Sequence, residues 1–352
     1  MMDWSWRLRD VDSPERTPGG QPGSSSRPSC RPWWQAPRLT MDVIHFPDDP
    51  RPRQWSHPVL ALGNFDGVHR GHRKILDRLI RVAGERAATS VVMTFDPHPP
   101  RVVRPDKAPP LLMTNAQKLE ALGTAGVNGA AIVRFTPELS RWDPEAFVRV
   151  VLVDWLRVGE VWVGANFLFG HDRAGNFSML RVLGGRYGFR AEKIDPVRYK
   201  DFVVSSTRIR RLISEGRVDE AGALLGHHYF MDGTVVQGDA RGRTLGFPTA
   251  NLCTQNELVP PHGVYATMTT IEGVVRPSVT NIGVRPTVDD SGRASIETHI
   301  FGFDRDLYGA TIRVGFVLRL RDERAFESLD LLKAQIADDC SRARVLFGHL
   351  SL

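Results

Sequence analysis

Between about residue 57 and residue 226 short apolar runs alternate with stretches of helical period, and beyond about residue 227 that alternation stops. "PVLALG" leads into a helix with Ile75, Leu76, Leu79 and Ile80 on one face, and "VVMTF" leads to a helix predicted near 116–125. Thr114 and Gln117 have the spacing of a capping box for the latter. "AAIVRF", a helix in "DPEAFVRVVLVDWL", "VWVGA" and a helix opening at "SSTRIRRLI" continue the pattern. Strands that are apolar throughout and alternate with helices predict a Rossmann-like, doubly wound parallel sheet covered on both faces. In such sheets ligands sit beyond the carboxyl ends of the strands.

After residue 227 the texture becomes β-rich, with "DGTVVQG", "GVYATMTT" and "TIRVGFVLRL" separated by Gly, Pro and Asp. One late helix is expected in "SLDLLKAQIADDCSRARVLF". These features predict a small β-barrel with a C-terminal helix. No internal repeat is visible, and 352 residues suffice for two cores, so two unlike domains are expected, 41–226 and 227–352. Residues 1–40 mix Pro, Gly, Ser and Arg with four tryptophans and show no period. They read as a disordered extension or a mis-called start, with Met41 opening the chain. Native protein whose mass places its first residue before Met41 would refute the second reading.

The formal charge of +6 and pI near 9.5 suit an anionic partner. The basic residues are scattered among acids rather than gathered in a stripe with aromatics, which argues against nucleic acid as that partner. No apolar run reaches membrane-spanning length, so no membrane partner is expected. Cys30, Cys253 and Cys340 form no CxxC pair, which fits a reducing cytoplasm.

The chemistry concentrates in two places. "ALGNFDGVHRGHRKIL", residues 61–76, carries His69 and His72 from a strand into a helix. Three readings fit these histidines: a zinc pair, structural histidines, or a phosphate cradle at a helix N-terminus. Zinc would need further ligands, and the stretch supplies neither HExxH nor a cysteine cluster. The cradle reading gains from the glycines, from the helix N-terminus and from "VVSSTRIRRLISEG". There Ser205, Ser206 and Thr207 offer hydroxyls while Arg208 and Arg210 offer guanidinium forks. An ordinary helix cap with surface arginines is the alternative.

"GNFDGVHRGH" and "SSTRIR" together resemble the nucleotidyltransferase superfamily. With "TFDPHP" at 94–99 and "GANFLFGHDRAGN" at 164–176, the order of motifs resembles the adenylyltransferase module of bacterial bifunctional riboflavin kinase/FAD synthetases. The resemblance implies that His69, His72 and Arg210 serve adenylyl transfer. It places Gly63, Phe65, Gly71, Ser206 and Thr207 around ATP, and Asn64, Asp96 and Asn166 around the flavin. "GANFLFG" departs from the family pattern, which often has an acid at position 166 and a basic residue near 168.

The second place is "GTVVQGDARGRTLGFPTANL", residues 233–252, whose glycines also suit hairpin turns. "GRTLGFPTAN" resembles the ATP-binding signature of riboflavin kinase, and "GVYA", "NIGVRPT", "IETHIF", "DLYG" and "LRDERAFESLDLLKAQI" follow in order. The resemblance implies ATP at Gly242, Gly246, Pro248 and Thr249, Mg²⁺ at Thr249 and Asn251, and Glu297 as general base. Read alone, "SIETHIF" alternates as a half-buried strand with Glu297 facing solvent.

Chemistry separates the two steps. A phosphate monoester is already largely anionic, with a second pKa of about 6, and needs no strong base to attack ATP. Riboflavin attacks with a primary alcohol, which does. The implied activity is phosphorylation of riboflavin to FMN and then adenylylation of FMN to FAD, with ATP and Mg²⁺. A homo-oligomer is compatible with the sequence. Two alternatives are a single-function enzyme with one silent module and a nucleic-acid-binding protein built on the first fold.

Overall fold

The computed structural model describes residues 41–238, 242, 245–284 and 294–349. The reading of residues 1–40, with Cys30 and the four tryptophans, falls outside the described residues, as does the end of "NIGVRPT".

The first half is a six-stranded parallel sheet in the order β1-β4-β3-β2-β5-β8. Its strands are β1 (Asp42–Phe46), β2 (Val59–Leu62), β3 (Ser90–Asp96), β4 (Gly129–Arg134), β5 (Glu160–Gly164) and β8 (Arg190–Ile194). β2, the first strand of the alternating run, is central; β3 and β4 follow on one side, β5 and β8 on the other. Chain order therefore reverses between β2 and β5, and in open sheets of this kind ligands bind at the carboxyl ends beside such a reversal. Two small hairpins, β6 with β7 (Leu168–Phe169, Gly175–Asn176) and β9 with β10 (Arg198–Tyr199, Phe202–Val203), extend from the connections.

β2 is buried along its whole length and β3 along most of it, which is why both read as unbroken apolar runs. Helix α1 (Arg70–Glu85) buries Leu76 and Leu79 of its predicted face and also Val82 and Ala83, while Ile75 and Ile80 are only partly covered. Two short helical segments, α2 (Pro99–Val103) and a 3-10 turn, lead to α3 (Asn115–Thr124). Thr114 and Gln117 form the expected reciprocal capping box of α3. The helix expected in "DPEAFVRVVLVDWL" starts as one α-helical turn, α4 (Pro144–Phe147), and continues as a π-helix over Val148–Trp155. Helix α5 (Phe177–Tyr187), β1 and β8 lie in stretches whose patterns the sequence analysis did not single out.

The second half is a closed antiparallel barrel, β11-β12-β15-β14-β13-β16. Its strands are β11 (Tyr229–Val236), β12 (Ala250–Thr254), β13 (Gly263–Ile271), β14 (Val274–Val284), β15 (Ala294–Ile300) and β16 (Thr311–Arg321). Tyr265, Ile282, Ile296 and Phe316 share its core with a chain of buried hydroxyls, Thr269, Ser278, Thr267, Thr280 and Thr298, linked at 2.8–2.9 Å. The last helix, named α8 (Leu329–His349), lays Cys340, Ala343 and Phe347 on the outer face of β13, β14 and β16.

Helices α6 (Ser206–Ser214) and α7 (Val218–Leu225) join the halves. Their Ile209, Leu212, Leu224 and Leu225 belong to one core with Tyr229, Met231 and Phe316 of the barrel. Polar bonds reinforce the seam: the side chains of Gln117 and Asn256 exchange two hydrogen bonds, at 3.0 and 2.9 Å. Arg313 of β16 bridges Glu120 of α3 and Asp232 of β11.

Two candidate active sites

The first candidate site lies where the sheet's carboxyl edge meets α1. Between β2 and α1 the backbone turns through residues 63–69 with positive φ at Phe65 (50°), Gly67 (85°) and Val68 (36°). A β-branched valine in that region is a genuine outlier, held only when its surroundings determine it, and such turns cluster at functional sites. Asp66, 1% exposed, supplies the hold. Its carboxylate accepts the backbone N–H groups of Leu112 and Met113 at 3.0–3.2 Å and pairs with the Arg210 guanidinium. Ser206 Oγ donates to the Asp66 carbonyl at 3.0 Å, and Thr94 Oγ1 donates to the Asn64 carbonyl at 3.0 Å. Ser206, which the resemblance places around ATP, and Arg210, which it assigns to adenylyl transfer, here bond the loop itself, and Arg210 also reaches the Pro110 carbonyl at 2.7 Å.

His69 caps α1: its Nδ1 accepts the His72 N–H at 3.2 Å. That bond puts the neutral ring's proton on Nε2, leaving it as the donor. The two rings stack at 3.7 Å with an interplanar angle of 11°. Gly71 makes this stack feasible, because a Cβ there would stand 3.0 Å from His69 Cε1. Burial pushes His69 down to about 4, and burial together with the neighbouring His69 holds His72 well below its ordinary range. Both are neutral near pH 7 and act as hydrogen-bond donors rather than cations. Phe65 packs its ring 5.0 Å from that of His72.

Asn64, Asp96 and Asn166 stand exposed just past β2, at the end of β3 and just past β5, all on the carboxyl edge. Thr207 is exposed in the first turn of α6, and Gly63 donates its N–H to the Met93 carbonyl at 3.2 Å. Arg208 turns aside and stacks its guanidinium 3.8 Å from the Phe202 ring centroid. Sequence reasoning missed Asp66, Thr94, His98 and Lys118. Each lies inside or beside a quoted motif, but read locally as an ordinary turn, strand or solvated helix residue, because its burial is set by segments far away in the chain. Among the described residues no cluster of three or more His, Cys, Asp or Glu is placed to hold a metal ion.

The second candidate site is on the barrel. Asn251 of β12 lies directly opposite Glu297 of β15, and Glu297 lies directly opposite Asn281 of β14. Residues opposite one another across antiparallel strands share a face, with Cβ atoms about 5 Å apart. Asn251, Glu297 and Asn281 therefore form one polar row across three strands. Ser295, two residues earlier on the same face, donates to Glu297 Oε1 at 3.2 Å. Gly238 stands where a Cβ would meet Asn251 Nδ2 at 2.2 Å, so only glycine leaves that amide its position. Phe247 donates its N–H to the Gly242 carbonyl at 2.8 Å, closing the turn that contains Gly246. The Pro248 carbonyl lies 2.9 Å from His299 Nδ1, which places the turn and Thr249 beside β15.

Comparison with known proteins agrees with this division. A family model described as FAD synthetase matches residues 51–208, and one described as Riboflavin kinase matches residues 225–347. The chain is 40% identical over 291 residues to the bifunctional riboflavin kinase/FMN adenylyltransferase of Escherichia coli (strain K12), covering 82% of this chain and 93% of that one. It is 36% identical over 297 residues to the protein of the same name from Bacillus subtilis (strain 168), covering 83% and 93%. Among solved structures, a Streptococcus pneumoniae chain named as a macrolide-efflux protein matches with a TM-score of 0.78 at 29% identity, over 86% of this chain and 99% of that one. No described helix is long and apolar enough to cross a membrane.

Proposed function

This chain belongs to the bifunctional riboflavin kinase/FMN adenylyltransferase family, and from that premise we propose how its residues divide the two reactions. The protein phosphorylates riboflavin to FMN with ATP, and transfers AMP from a second ATP to FMN, giving FAD and pyrophosphate. We assign adenylyl transfer to residues 41–226 and phosphorylation to residues 227–352.

In the first unit an FMN phosphate oxygen attacks the α-phosphorus of ATP while the bond to the β-phosphate breaks. The nucleophile is already anionic, so the residues need to align two phosphates and stabilise charge on the departing pyrophosphate. Neutral His69 and His72 donate N–H groups at the N-terminus of α1, whose dipole adds to the same field. Ser206, Thr207 and Arg210 close the opposite side, with Gly63, Phe65 and Gly71 shaping the nucleotide pocket. Asn64, Asp96 and Asn166 face the flavin from the strand ends.

In the second unit Glu297 takes the proton from the riboflavin alcohol as the γ-phosphate is transferred. Gly242, Gly246 and Pro248 shape the turn that covers ATP. The Thr249 hydroxyl and the Asn251 amide are hard oxygen donors beside a glycine-relieved turn, which fits Mg²⁺. When bound, that ion would neutralise phosphate charge. The observation that carries the kinase assignment is the Asn251–Glu297 register, which puts the candidate base next to the candidate metal ligand.

Exposed Cys253 and buried Cys340 are both free thiols, in keeping with a reducing compartment, and we place the enzyme in the cytoplasm. Chromatography of flavins after incubation with ATP and Mg²⁺ tests the assignment. FMN and then FAD are expected from riboflavin, and FAD from supplied FMN; absence of FAD from FMN would overturn the reading of the first unit.

A further inference from the structure

Lys118 projects from α3 and is 3% exposed. Lysines are almost never so deeply buried unless paired, because an ammonium removed from water costs several kcal/mol. Among the described residues no carboxylate comes within ion-pair distance of its Nζ, and its hydrogen-bond partner is Thr94 Oγ1 at 3.4 Å. Burial lowers its basicity while the more distant Asp66 and Asp96 hold it up. Two further polar atoms in this region are buried without a hydrogen-bond partner, His72 Nδ1 and His98 Nδ1. The Lys118 charge depresses the basicity of both rings. Three donor-capable groups thus converge with their hydrogen-bonding capacity largely unused.

The direction of the lysine is fixed by its helix. The capping box anchors the start of α3. Gln117, just before Lys118, exchanges two hydrogen bonds with Asn256 of the barrel half, and Glu120, two residues after it, pairs with Arg313. A lysine placed only to fill space would be matched by a carboxylate or replaced by methionine at no cost. The surroundings of Lys118 include His72 of the phosphate cradle and, at the end of β3, Thr94 and Asp96.

We propose that Lys118 is a further catalytic residue of adenylyl transfer, its ammonium contacting the phosphate of FMN as that phosphate meets the α-phosphate of ATP. The proposal rests on the assignment of the first unit given above. The reaction brings two anions together, and a cation in a water-poor site offsets their repulsion far more strongly than one in water. The FMN phosphate oxygen forms the new bond to the α-phosphorus. The bond to the β-phosphate breaks, and pyrophosphate leaves with the electron pair; the lysine keeps its proton throughout. Its place toward Thr94 and Asp96 selects the flavin phosphate, while the histidines at the N-terminus of α1 serve the ATP tail.

The test uses full-length protein carrying Lys118→Met, with riboflavin phosphorylation measured on the same sample as the check of folding. kcat/KM for FMN should fall about 100-fold, the loss typical of removing one preorganised electrostatic group, while KM for ATP stays within about twofold. Lys118→Arg, which keeps the charge, should recover to within about tenfold of the parent. Unchanged kcat/KM for FMN, or a loss confined to KM for ATP, overturns the proposal. His72→Ala measured in parallel separates the two levels of the argument. FAD synthesis lost in His72→Ala but intact in Lys118→Met removes the lysine and keeps the site; FAD synthesis intact in both removes the site assignment and the lysine with it. Should Lys118→Met also lose riboflavin phosphorylation, Lys118→Gln, which is polar but uncharged, is judged by the same criteria.

Discussion

The two sites are assembled in different ways. In the first, the residues come from segments as far apart as Gly63 and Arg210, and they meet because five strand or helix ends, those of β2, β3, β5, α1 and α6, converge on one edge of a parallel sheet. In the second, Asn251 and Glu297 belong to neighbouring antiparallel strands and meet through register alone. The convergent site needs an internal clamp, and Asp66 is that clamp: one buried carboxylate ties the 63–69 turn to the Leu112–Met113 backbone and to α6. The register site is held by the barrel's ladder hydrogen bonds and needs no comparable anchor. The chemistry differs in parallel, since an anionic nucleophile calls for alignment and donors, whereas an alcohol calls for a base.

The sharpest way to test this contrast is to remove the base. Glu297→Gln should slow FMN formation by about 10²–10⁴-fold while leaving FAD synthesis from supplied FMN intact. Loss of both reactions in a folded variant would break the separation. Next in size is the clamp. Asp66→Ala leaves the Arg210 guanidinium largely buried and unpaired, which should cost about 3–5 kcal/mol of stability. FAD synthesis should then fail at a lower temperature than riboflavin phosphorylation; coincident inactivation would mean that the barrel depends on the clamp as well.

His72→Ala should cut FAD synthesis by about 10²–10³-fold, as for loss of an oxyanion donor, so that FMN accumulates from riboflavin. Undiminished FAD would take His72 out of the cradle. A smaller effect is expected at the seam. Arg313→Met strands Glu120 and Asp232 and should lower the melting free energy by about 2 kcal/mol, visible in calorimetry.

The smallest effect is on pH. His69 and His98 are each pushed from 6.5 down to about 4, chiefly by burial. The unfolded chain therefore takes up their protons first as pH falls. The stability at stake is complete above pH 6.5 and is lost between 6.5 and about 4. At pH 5.5 each such histidine should cost about 1 kcal/mol. His98→Gln should flatten the decline of melting temperature over that interval, and an unchanged slope would show that His98 does not titrate as its burial requires.

Much of the fold was legible because burial writes itself into local pattern. "PVLALG" and "VVMTF" are apolar without interruption because β2 and β3 are covered on both faces, and Thr114 with Gln117 announced the start of α3. The histidine pair and Glu297 were visible through their motifs. Asp66 and Lys118 were not, although both sit beside recognised signals. A carboxylate in a glycine-rich turn reads as a turn residue, and a lysine in "AQKLE" reads as a solvated helix face. Burial of both follows from packing against segments far away in the chain. The π-helical continuation after α4 was equally invisible, since its apolar content is that of an ordinary helix.

The sequence by itself determined the two architectures, their order, and the residue types available for each reaction, because helix and strand periods and turn chemistry are local properties of the chain. Only the tertiary structure decided that Arg210 clamps Asp66, that His69 and His72 stack as neutral rings, and that Lys118 lies buried against Thr94 of β3. Those facts depend on which distant side chains exclude water from a given charge, and desolvation is a property of the assembled surroundings, not of neighbours in sequence.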